Sequence, residues 1–415
     1  MSIVAAFSGT FCRAEEILER FLAESGYALL TDVQIVDRAA QLSSIPADTL
    51  KRCFLAKTSV FNPFTRERER SMAWLKLAVA HYCQQDALVL HGFSSHLVPE
   101  SISHVLRICL VADLSARAKA ALKICSISKA KAPQWLGAQD QERAVWVQAV
   151  KGASDPWDPA LYDMVLPTSD GNVDKNVALI LKGLAAEAVR PTDTSRAAAA
   201  AFLRAARIEA ELAAQGHVVD VFMNGDDVLL RIDRPVLMRE RLETELVNAV
   251  RAVHSMGDIE VRTASAEEGK DVYRSYSDDV LSKVLLVDDE REFIQTLSER
   301  LEMRDIGAAV AFDGESALEL VEDDAPEVML LDLQMPGING IEVLKKVKAE
   351  HPEIEVVILT GHGTDKDRDI CMELGAFAYL EKPVDIDVLS DVLKRANEHM
   401  RQNVKNKKLN KEINL

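Results

Sequence analysis

The sequence lacks the features that define membrane and secreted proteins. No stretch reaches the roughly 18 to 20 consecutive apolar residues that a membrane-spanning helix needs. The first residues, MSIVAAFSGTFCRAEEILERF, have no basic segment before the apolar run and turn acidic early, unlike a signal peptide. These absences predict a cytoplasmic protein that does not contact a membrane.

Paired cysteines and an excess of positive charge are also missing. The six cysteines are scattered without a CxxC pair, which predicts buried free thiols; they are Cys12, Cys53, Cys83, Cys109, Cys125 and Cys371. The formal net charge of −17 at pH 7 disfavours a surface that neutralises nucleic-acid phosphates. No basic recognition helix is visible either, so we expect no DNA binding and disfavour a transcription factor.

The composition is that of a globular protein with several domains. Hydrophobic residues make up 48% of the chain and charged residues 28%, as in ordinary soluble domains. A length of 415 residues suggests two or three domains. Residues 1–190 alternate apolar runs with helical stretches, which predicts an α/β domain. Its candidate strands are SIVAAFSG, DALVLHGF, HVLRICLVAD and YDMVLPTS.

A small α-β-β-α-β module is predicted for residues 192–266. An alanine-rich helix is expected to have Ser195 as its N-cap and to stop at Gly216. Two alternating runs around Asn224-Gly225 predict a hairpin. Pro235 is expected to open a second helix, and the run DIEVRTA predicts a strand. The polar residues 267–282 are interpreted as a linker, and residues 401–415 as a basic tail.

Residues 283–400 contain five apolar runs that alternate with helices. This pattern predicts a doubly wound, five-stranded parallel sheet. Polar residues follow four of the runs at their carboxyl ends: Asp288 and Asp289 the first, Asp332 the third, Thr360 the fourth and Lys382 the fifth. Because these ends lie at one edge of a parallel sheet, we expect the five side chains to converge.

This set of side chains predicts phosphoryl chemistry. The three carboxylates would repel one another, and a divalent ion such as Mg²⁺ would relieve this repulsion. Asp332 can then attack a phosphoryl group and hold it as an acyl phosphate. Mg²⁺ and Lys382 would neutralise the transferring oxygens, while the Thr360 hydroxyl would donate to one of them. Alone, each residue has a commoner explanation as a helix cap or a solvated charge; the prediction depends on the whole set.

The C-terminal domain resembles the receiver domain of two-component response regulators. The motifs VDD, DLQMPGING, LTG and YLEKP follow one another in that family's order and spacing. The resemblance implies that Asp332 is the phosphoacceptor. It implies that Asp289, Asp332 and the Gln334 backbone carbonyl bind Mg²⁺, with Asp288 acting mainly through water. Tyr379 would be the aromatic residue that changes rotamer on phosphorylation.

The same resemblance implies partners. A sensor histidine kinase or a phosphotransfer protein would supply the phosphoryl group, and a homodimer could form through the receiver. The surface of residues 364–400 is expected to respond to phosphorylation.

The N-terminal region resembles the cytidylate kinase-like branch of P-loop nucleoside monophosphate kinases. The resemblance extends to Leu181 and rests on the order of elements and on the segments ERAVWV and DPALYDMVLPTS. Candidate phosphate-binding arginines are Arg66, Arg68, Arg70, Arg107, Arg117 and Arg143, and Asp140, Glu142 and Arg143 resemble the family's lid. For all of these, and for His91 and His96 beside a strand end, an ordinary surface or loop role remains the alternative.

The loop that should bind phosphate departs from this family. Residues 8–16 contain one glycine and no Lys followed by Ser or Thr, and two glutamates open the following helix. Arg13 could replace the lysine, but without the same reach. We therefore predict a response regulator whose receiver switches a non-catalytic, kinase-like binding domain. The alternative is a receiver-gated, cytidylate-type kinase.

Overall fold

The computed structural model describes residues 2–124, 128, 130–232, 236, 239–263, 283–361 and 363–413, with residues 404–413 described by their backbone only. The chain divides into two compact units. The first contains Met1–Thr58 and Glu67–Ser275, and the second contains Ser59–Arg66 and Tyr276–Leu415. Ser59–Arg66 therefore group with the second unit, although the sequence pattern placed them in a domain of residues 1–190. The other domain boundaries stay predictions, and the proposed linker lies outside the described residues.

The first unit is built around a parallel sheet. Before residue 59 its elements are β1 (Ile3–Ser8), α1 (Ala14–Ser25), β2 (Ala28–Thr31), α2 (Asp32–Ser43) and α3 (Ala47–Lys51). The next helix, α4 (Asn62–Thr65), belongs to the second unit. The first unit continues with α5 (Glu67–Tyr82), β3 (Leu88–His91), β4 (Val105–Val111), α6 (Leu114–Ile124), α7 (Ala132–Lys151), β5 (Met164–Pro167) and α8 (Val173–Leu184). The strand order is β2-β3-β1-β4-β5, with every pair parallel. The four predicted strands are confirmed. The pattern missed β2, a four-residue edge strand with no fully buried residue.

The α-β-β-α-β module completes the first unit. It comprises α9 (Asp193–Ala214), β6 (Asp220–Asn224), β7 (Asp227–Ile232), α10 (Arg239–Val253) and β8 (Ile259–Thr263). The hairpin is confirmed, since β6 and β7 pair antiparallel and Gly225 adopts a positive φ of 63° in the turn. β8 pairs parallel to β7. Pro235 lies outside the described residues.

The predicted cap of α9 was wrong by three residues. Thr192 is the N-cap, and its Oγ1 accepts a hydrogen bond from the Ser195 N–H at 3.1 Å. The Ser195 Oγ in turn accepts from the Thr192 N–H at 2.9 Å. Ser195 is thus the reciprocal partner in a capping box, a role in which serine replaces the more usual Glu or Gln.

The second unit is a doubly wound α/β fold. Its remaining elements are β9 (Val284–Val287), α11 (Arg291–Glu302), β10 (Ala308–Ala311), α12 (Gly314–Asp323), β11 (Val328–Leu331), α13 (Gly340–Glu350), β12 (Glu355–Thr360), α14 (Asp365–Glu373), β13 (Ala378–Glu381) and α15 (Ile386–Ile413). The strand order is β10-β9-β11-β12-β13, and all pairs are parallel. Apolar clusters cover both faces of the sheet, which explains why its strands read as continuous apolar runs. The predicted fold class is confirmed.

Two further predictions concern the described residues. The five described cysteines are free and buried, as expected, while Cys125 lies outside the described residues. None of the described helices is both long and apolar enough to cross a membrane.

Candidate functional site

Backbone hydrogen bonds join the strand ends that bear the polar residues at one edge of the second sheet. The Asp332 N–H donates to the Val287 carbonyl at 3.0 Å, which places Asp332 beside the end of β9. The Lys382 N–H donates to the Thr360 carbonyl at 2.9 Å, so the ends of β12 and β13 are also joined. These two bonds bring the end of β11 beside that of β9, and the end of β13 beside that of β12.

Lys382 links two of the carboxylates. Its Nζ lies 2.6 Å from Asp288 Oδ2 and 3.1 Å from Asp332 Oδ2. The lysine side chain is only 13% exposed, and its ammonium lies 4.5 Å from the ring centroid of Phe293. Glu290 approaches the same Nζ at 3.5 Å from the solvent side. Burial and charge-assisted hydrogen bonds hold this ammonium in place.

The carboxylates are arranged as a possible metal centre. Asp288, Asp289 and Asp332 each offer an oxygen, and these atoms lie within 4.8 Å of one another. Asp288 and Asp332 are buried, whereas Asp289 is exposed at the mouth of the site. Hard carboxylate oxygens with an open, solvated side suit Mg²⁺, which retains several waters. The residues present therefore fit this ion.

Three backbone N–H groups orient the buried carboxylates. Asp332 Oδ1 accepts from the Leu333 N–H at 2.7 Å, and Gln334 N lies 3.4 Å from the same oxygen. Asp288 Oδ1 accepts from the Glu290 N–H at 2.9 Å. Each carboxylate thus has one oxygen bound to the backbone and the other to Lys382, so its rotamer is fixed from both sides.

Burial and neighbouring charges shift the pKa values of two residues at the site. Burial raises the pKa of Asp288, the Lys382 ammonium opposes this shift, and the Asp332 carboxylate adds to it. Burial lowers the pKa of Lys382, but hydrogen bonding and attraction to Asp288 and Asp332 outweigh burial, so the net shift is upward. One buried cation between two buried carboxylates leaves a deficit of positive charge, and the site favours a further cation or a proton.

Thr360 and Tyr379 line the β12–β13 side of the site. Thr360 ends β12 and is 1% exposed. Tyr379, paired with Ile358 in the sheet, packs its ring against the apolar cluster on one face. Its hydroxyl has no hydrogen-bond partner among the described residues. A Cβ built at Gly363 would lie 1.7 Å from that hydroxyl oxygen, so a larger residue at position 363 would require the Tyr379 side chain to shift.

The carboxyl edge of the first sheet has a different character. The loop after β1 is held through its carbonyl groups: Arg143 Nε donates to the Ser8 carbonyl and Arg117 Nε to the Thr10 carbonyl, both at 2.8 Å. Arg117 also forms a two-pronged ion pair with Asp140, at 2.9 and 2.7 Å. Two predicted phosphate-binding arginines are therefore engaged by the loop itself.

Two bulky residues of this loop have an uncommon backbone conformation. Phe11 and Arg13 adopt positive φ values of 63° and 55°, which are uncommon outside glycine. The Phe11 ring lies 5.8 Å from that of Trp135 on α7. The Arg13 guanidinium is directed at the Gly171 carbonyl, at 3.3 Å. Glu15 and Glu16 are exposed in the first turn of α1.

The two histidines at this edge have neighbouring partners. His91 Nε2 lies 3.1 Å from Ser8 Oγ, and His96 Nε2 lies 3.1 Å from the Tyr162 hydroxyl. Burial lowers the pKa of His91 and lowers that of His96 to about 3, so both rings are neutral at pH 7. The sequence did not predict these pairings, because the partners are separated by 83 and 66 positions.

Comparison with known proteins matches the N-terminal and C-terminal parts of the chain to two different families. Residues 284–394 match the family described as the response regulator receiver domain, and residues 3–170 match the cytidylate kinase-like family. Sporulation initiation phosphotransferase F of Bacillus subtilis (strain 168) is 35% identical over 113 residues, covering 27% of this chain and 91% of that protein. The chain belongs to the response regulator receiver family. Both predicted resemblances are thus confirmed.

Another relative matches over about a quarter of this chain. The transcriptional regulatory protein CpxR of Escherichia coli (strain K12) is 47% identical over 103 residues, or 25% of this chain. The chain spans 44% of the length of CpxR. Among solved structures, the receiver domain of NtrX from Brucella abortus is 34% identical, covers 28% of this chain and 98% of that one, and has a TM-score of 0.27.

Proposed function

We propose that this response regulator accepts a phosphoryl group on Asp332 in a Mg²⁺-dependent reaction and thereby switches its N-terminal unit. The observation that supports this most directly is the Lys382 ammonium held between Asp288 and Asp332. A buried cation beside a buried carboxylate stabilises charge that develops on a transferring phosphoryl group. A phosphodonor such as a sensor histidine kinase, or a phosphotransfer protein, would supply that group.

The chemistry assigns one task to each side chain. An oxygen of Asp332 attacks phosphorus, the bond between phosphorus and the donor breaks, and the donor atom keeps the electron pair. Lys382 neutralises the phosphoryl oxygens, and the Thr360 hydroxyl donates to one of them. Mg²⁺, held by Asp289, Asp332 and the Gln334 carbonyl with Asp288 acting through water, would supply further positive charge.

The proposed switch involves Thr360 and Tyr379. A phosphoryl group would draw the Thr360 hydroxyl towards Asp332, and Tyr379 would adjust beside it. The Tyr379 hydroxyl finds no hydrogen-bond partner in the part of the chain that the structure describes, which supports a role for this residue beyond packing. We propose that residues 364–400 form the responding surface, through which a homodimer could also form.

The test of the phosphoacceptor is a comparison of two variants. The full-length protein is treated with a small phosphodonor, with and without Mg²⁺, and labelling is measured by intact mass. We expect labelling only with Mg²⁺, none in Asp332→Asn, and normal labelling in Asp391→Asn, which changes an exposed aspartate on α15. Undiminished labelling of Asp332→Asn would refute the assignment.

For the N-terminal unit we propose binding without turnover. Phosphoryl transfer between nucleotides needs backbone N–H groups and dense positive charge around the phosphates. Here Arg117 and Arg143 are held by loop carbonyls. Glu15 and Glu16 at the helix start would repel a triphosphate by on the order of one to several kcal/mol. We further propose that this cytoplasmic unit recognises a protein or a nucleotide.

The competing function is a receiver-gated nucleoside monophosphate kinase. It is tested by incubating full-length protein, phosphorylated and unphosphorylated, with ATP and CMP, dCMP or UMP. We expect no product in either state. A nucleotide-binding screen on the same protein then separates a protein-binding unit from a nucleotide-binding one. Turnover that disappears in Arg13→Ala would establish the kinase instead.

A further inference from the structure

A short segment of the N-terminal half belongs structurally to the receiver. Ser59–Arg66 group with the second unit, although the chain on both sides of them lies in the first. The segment is organised by its own hydrogen bonds. The Asn62 N–H donates to the Ser59 carbonyl at 3.1 Å, and the Arg66 N–H closes α4 on the Asn62 carbonyl at 2.9 Å.

One aromatic side chain of this segment completes the receiver core. Phe61 is 0% exposed and belongs to the same buried cluster as Leu285, Val321 and Met329. Val60 is partly buried and packs against that cluster. A phenylalanine is among the largest apolar side chains, so its complete burial makes a substantial contribution to the stability of this contact.

Two further contacts fix the position of the segment. The Ser59 hydroxyl donates to Asp324 Oδ2 at 2.5 Å. A Cβ built at Gly307 would lie 2.4 Å from the Cβ of Phe64, so the Phe64 side chain rests directly on the receiver backbone. An apolar anchor, a hydrogen bond and a close backbone approach at separate points specify one docked geometry.

The docking position differs from the expected switch surface. Gly307 precedes β10 and Asp324 precedes β11, so the segment lies at the amino edge of the parallel sheet. Asp332 lies at the carboxyl edge. The cluster that buries Phe61 nevertheless continues through Leu333 in the loop after Asp332 and contacts the Tyr379 ring. Packed apolar side chains thus extend from the segment to the phosphoacceptor loop.

We propose that Ser59–Arg66 is a docking strap of the receiver, and that the receiver acts on the rest of the chain through it. The docking of the strap is supported by the contacts of Phe61, Ser59 and Phe64. Its role in transmitting the signal rests on the proposed function, because phosphorylation of Asp332 must change how tightly the strap is held.

Docking is tested by hydrogen exchange on the full-length protein. In Phe61→Ser, amides of residues 305–325 should exchange faster by roughly thirtyfold or more, because the strap no longer covers a buried cluster. Leu55→Ser is the matched control, since Leu55 shortly precedes the strap in the sequence, belongs to the first unit and is 44% exposed. Unchanged exchange of residues 305–325 in Phe61→Ser would overturn the strap.

A second variant disrupts the same contact by a substitution on the receiver side. In Gly307→Ala the added methyl group would collide with Phe64 and lift the strap, so exchange of residues 59–66 should accelerate although the strap sequence is intact. Tryptophan fluorescence checks that the first unit stays folded in each variant, because all four tryptophans lie there: Trp74, Trp135, Trp146 and Trp157. Unaltered exchange of the strap in Gly307→Ala contradicts the docked geometry.

Coupling is tested by adding acetyl phosphate and Mg²⁺ to the wild-type chain and to Asp332→Asn. Exchange of residues 59–66 should change at least twofold in the wild type and not in the variant. If intact mass shows no phosphoprotein, both the proposed function and the coupling are refuted. The docking of the strap is unaffected by that outcome, because the Phe61→Ser and Gly307→Ala experiments test it separately. Phosphoprotein with an unchanged strap would overturn the coupling alone.

Discussion

Replacing Lys382 by alanine should destabilise the receiver strongly and in a pH-dependent way. The substitution removes the cation that lies 2.6 Å from Asp288 and 3.1 Å from Asp332. Removing one partner of a buried ion pair costs about 3 to 5 kcal/mol, since it leaves uncompensated charge. Asp288 can relieve part of this cost by binding a proton, so we expect a loss of about 3 kcal/mol at pH 7 without Mg²⁺.

The sign of the pH dependence follows from the raised pKa of Asp288. A carboxyl group whose pKa is higher in the folded than in the unfolded state binds a proton preferentially in the fold. Its effect therefore favours folding at low pH, and that advantage is lost as the pH rises through the folded pKa. Without Lys382 this pKa should rise further. The loss of stability should thus be largest at neutral pH and shrink as the pH falls.

The assay is urea unfolding of the full-length protein with two probes. Far-UV circular dichroism follows both units, whereas tryptophan fluorescence follows only the first, which contains every tryptophan. The transition seen by circular dichroism alone reports the receiver. Lys345→Ala, at an exposed position of α13, is the matched control. If Lys382→Ala and Lys345→Ala differ by less than about 0.5 kcal/mol at pH 7, the buried ion pair does not have the energetic role described.

Three further outcomes are expected. Mg²⁺ should stabilise the receiver by about 1.4 kcal/mol at ten times its Kd, measured by calorimetry; an equal effect on Asp289→Asn would contradict a site at these carboxylates. Tyr379→Phe should leave urea stability unchanged or raise it by up to about 1 kcal/mol, because the hydroxyl is buried without a described partner; a clear loss would reveal a hydrogen bond. Arg117→Ala should destabilise the first unit by about 2 to 3 kcal/mol in tryptophan-monitored unfolding, because it leaves Asp140 and the Thr10 carbonyl without their donor; Lys119→Ala, on the same helix, should not.

The receiver could be predicted in detail from the sequence. Its strands are buried on both faces, so each is a continuous apolar run that is recognisable locally. The polar residues of the site directly follow those runs, and parallel strands bring their carboxyl ends to one edge. The five side chains from Asp288 to Lys382 could therefore be assigned to one crevice without knowledge of any distance.

Features that depend on distant contacts could not be predicted in this way. The edge strand β2 is short and only partly buried, so it lacks a clear apolar pattern. The engagement of Arg117 and Arg143 by loop carbonyls depends on residues more than 100 positions away. In a sequence these arginines are indistinguishable from surface or phosphate-binding ones.

The docking of Ser59–Arg66 is the clearest example of a feature that the sequence does not predict. Phe61 lies in a stretch whose neighbours belong to the first unit, and nothing local distinguishes it from an ordinary core residue of that unit. Its burial site is formed by strands and helices more than 200 positions later in the chain. Local patterns of hydrophobicity and polarity determined the strands, the helices and the phosphoacceptor edge, because each is encoded within a few residues. Only the tertiary structure decided which surfaces meet, because burial of a side chain depends on the shape assembled around it.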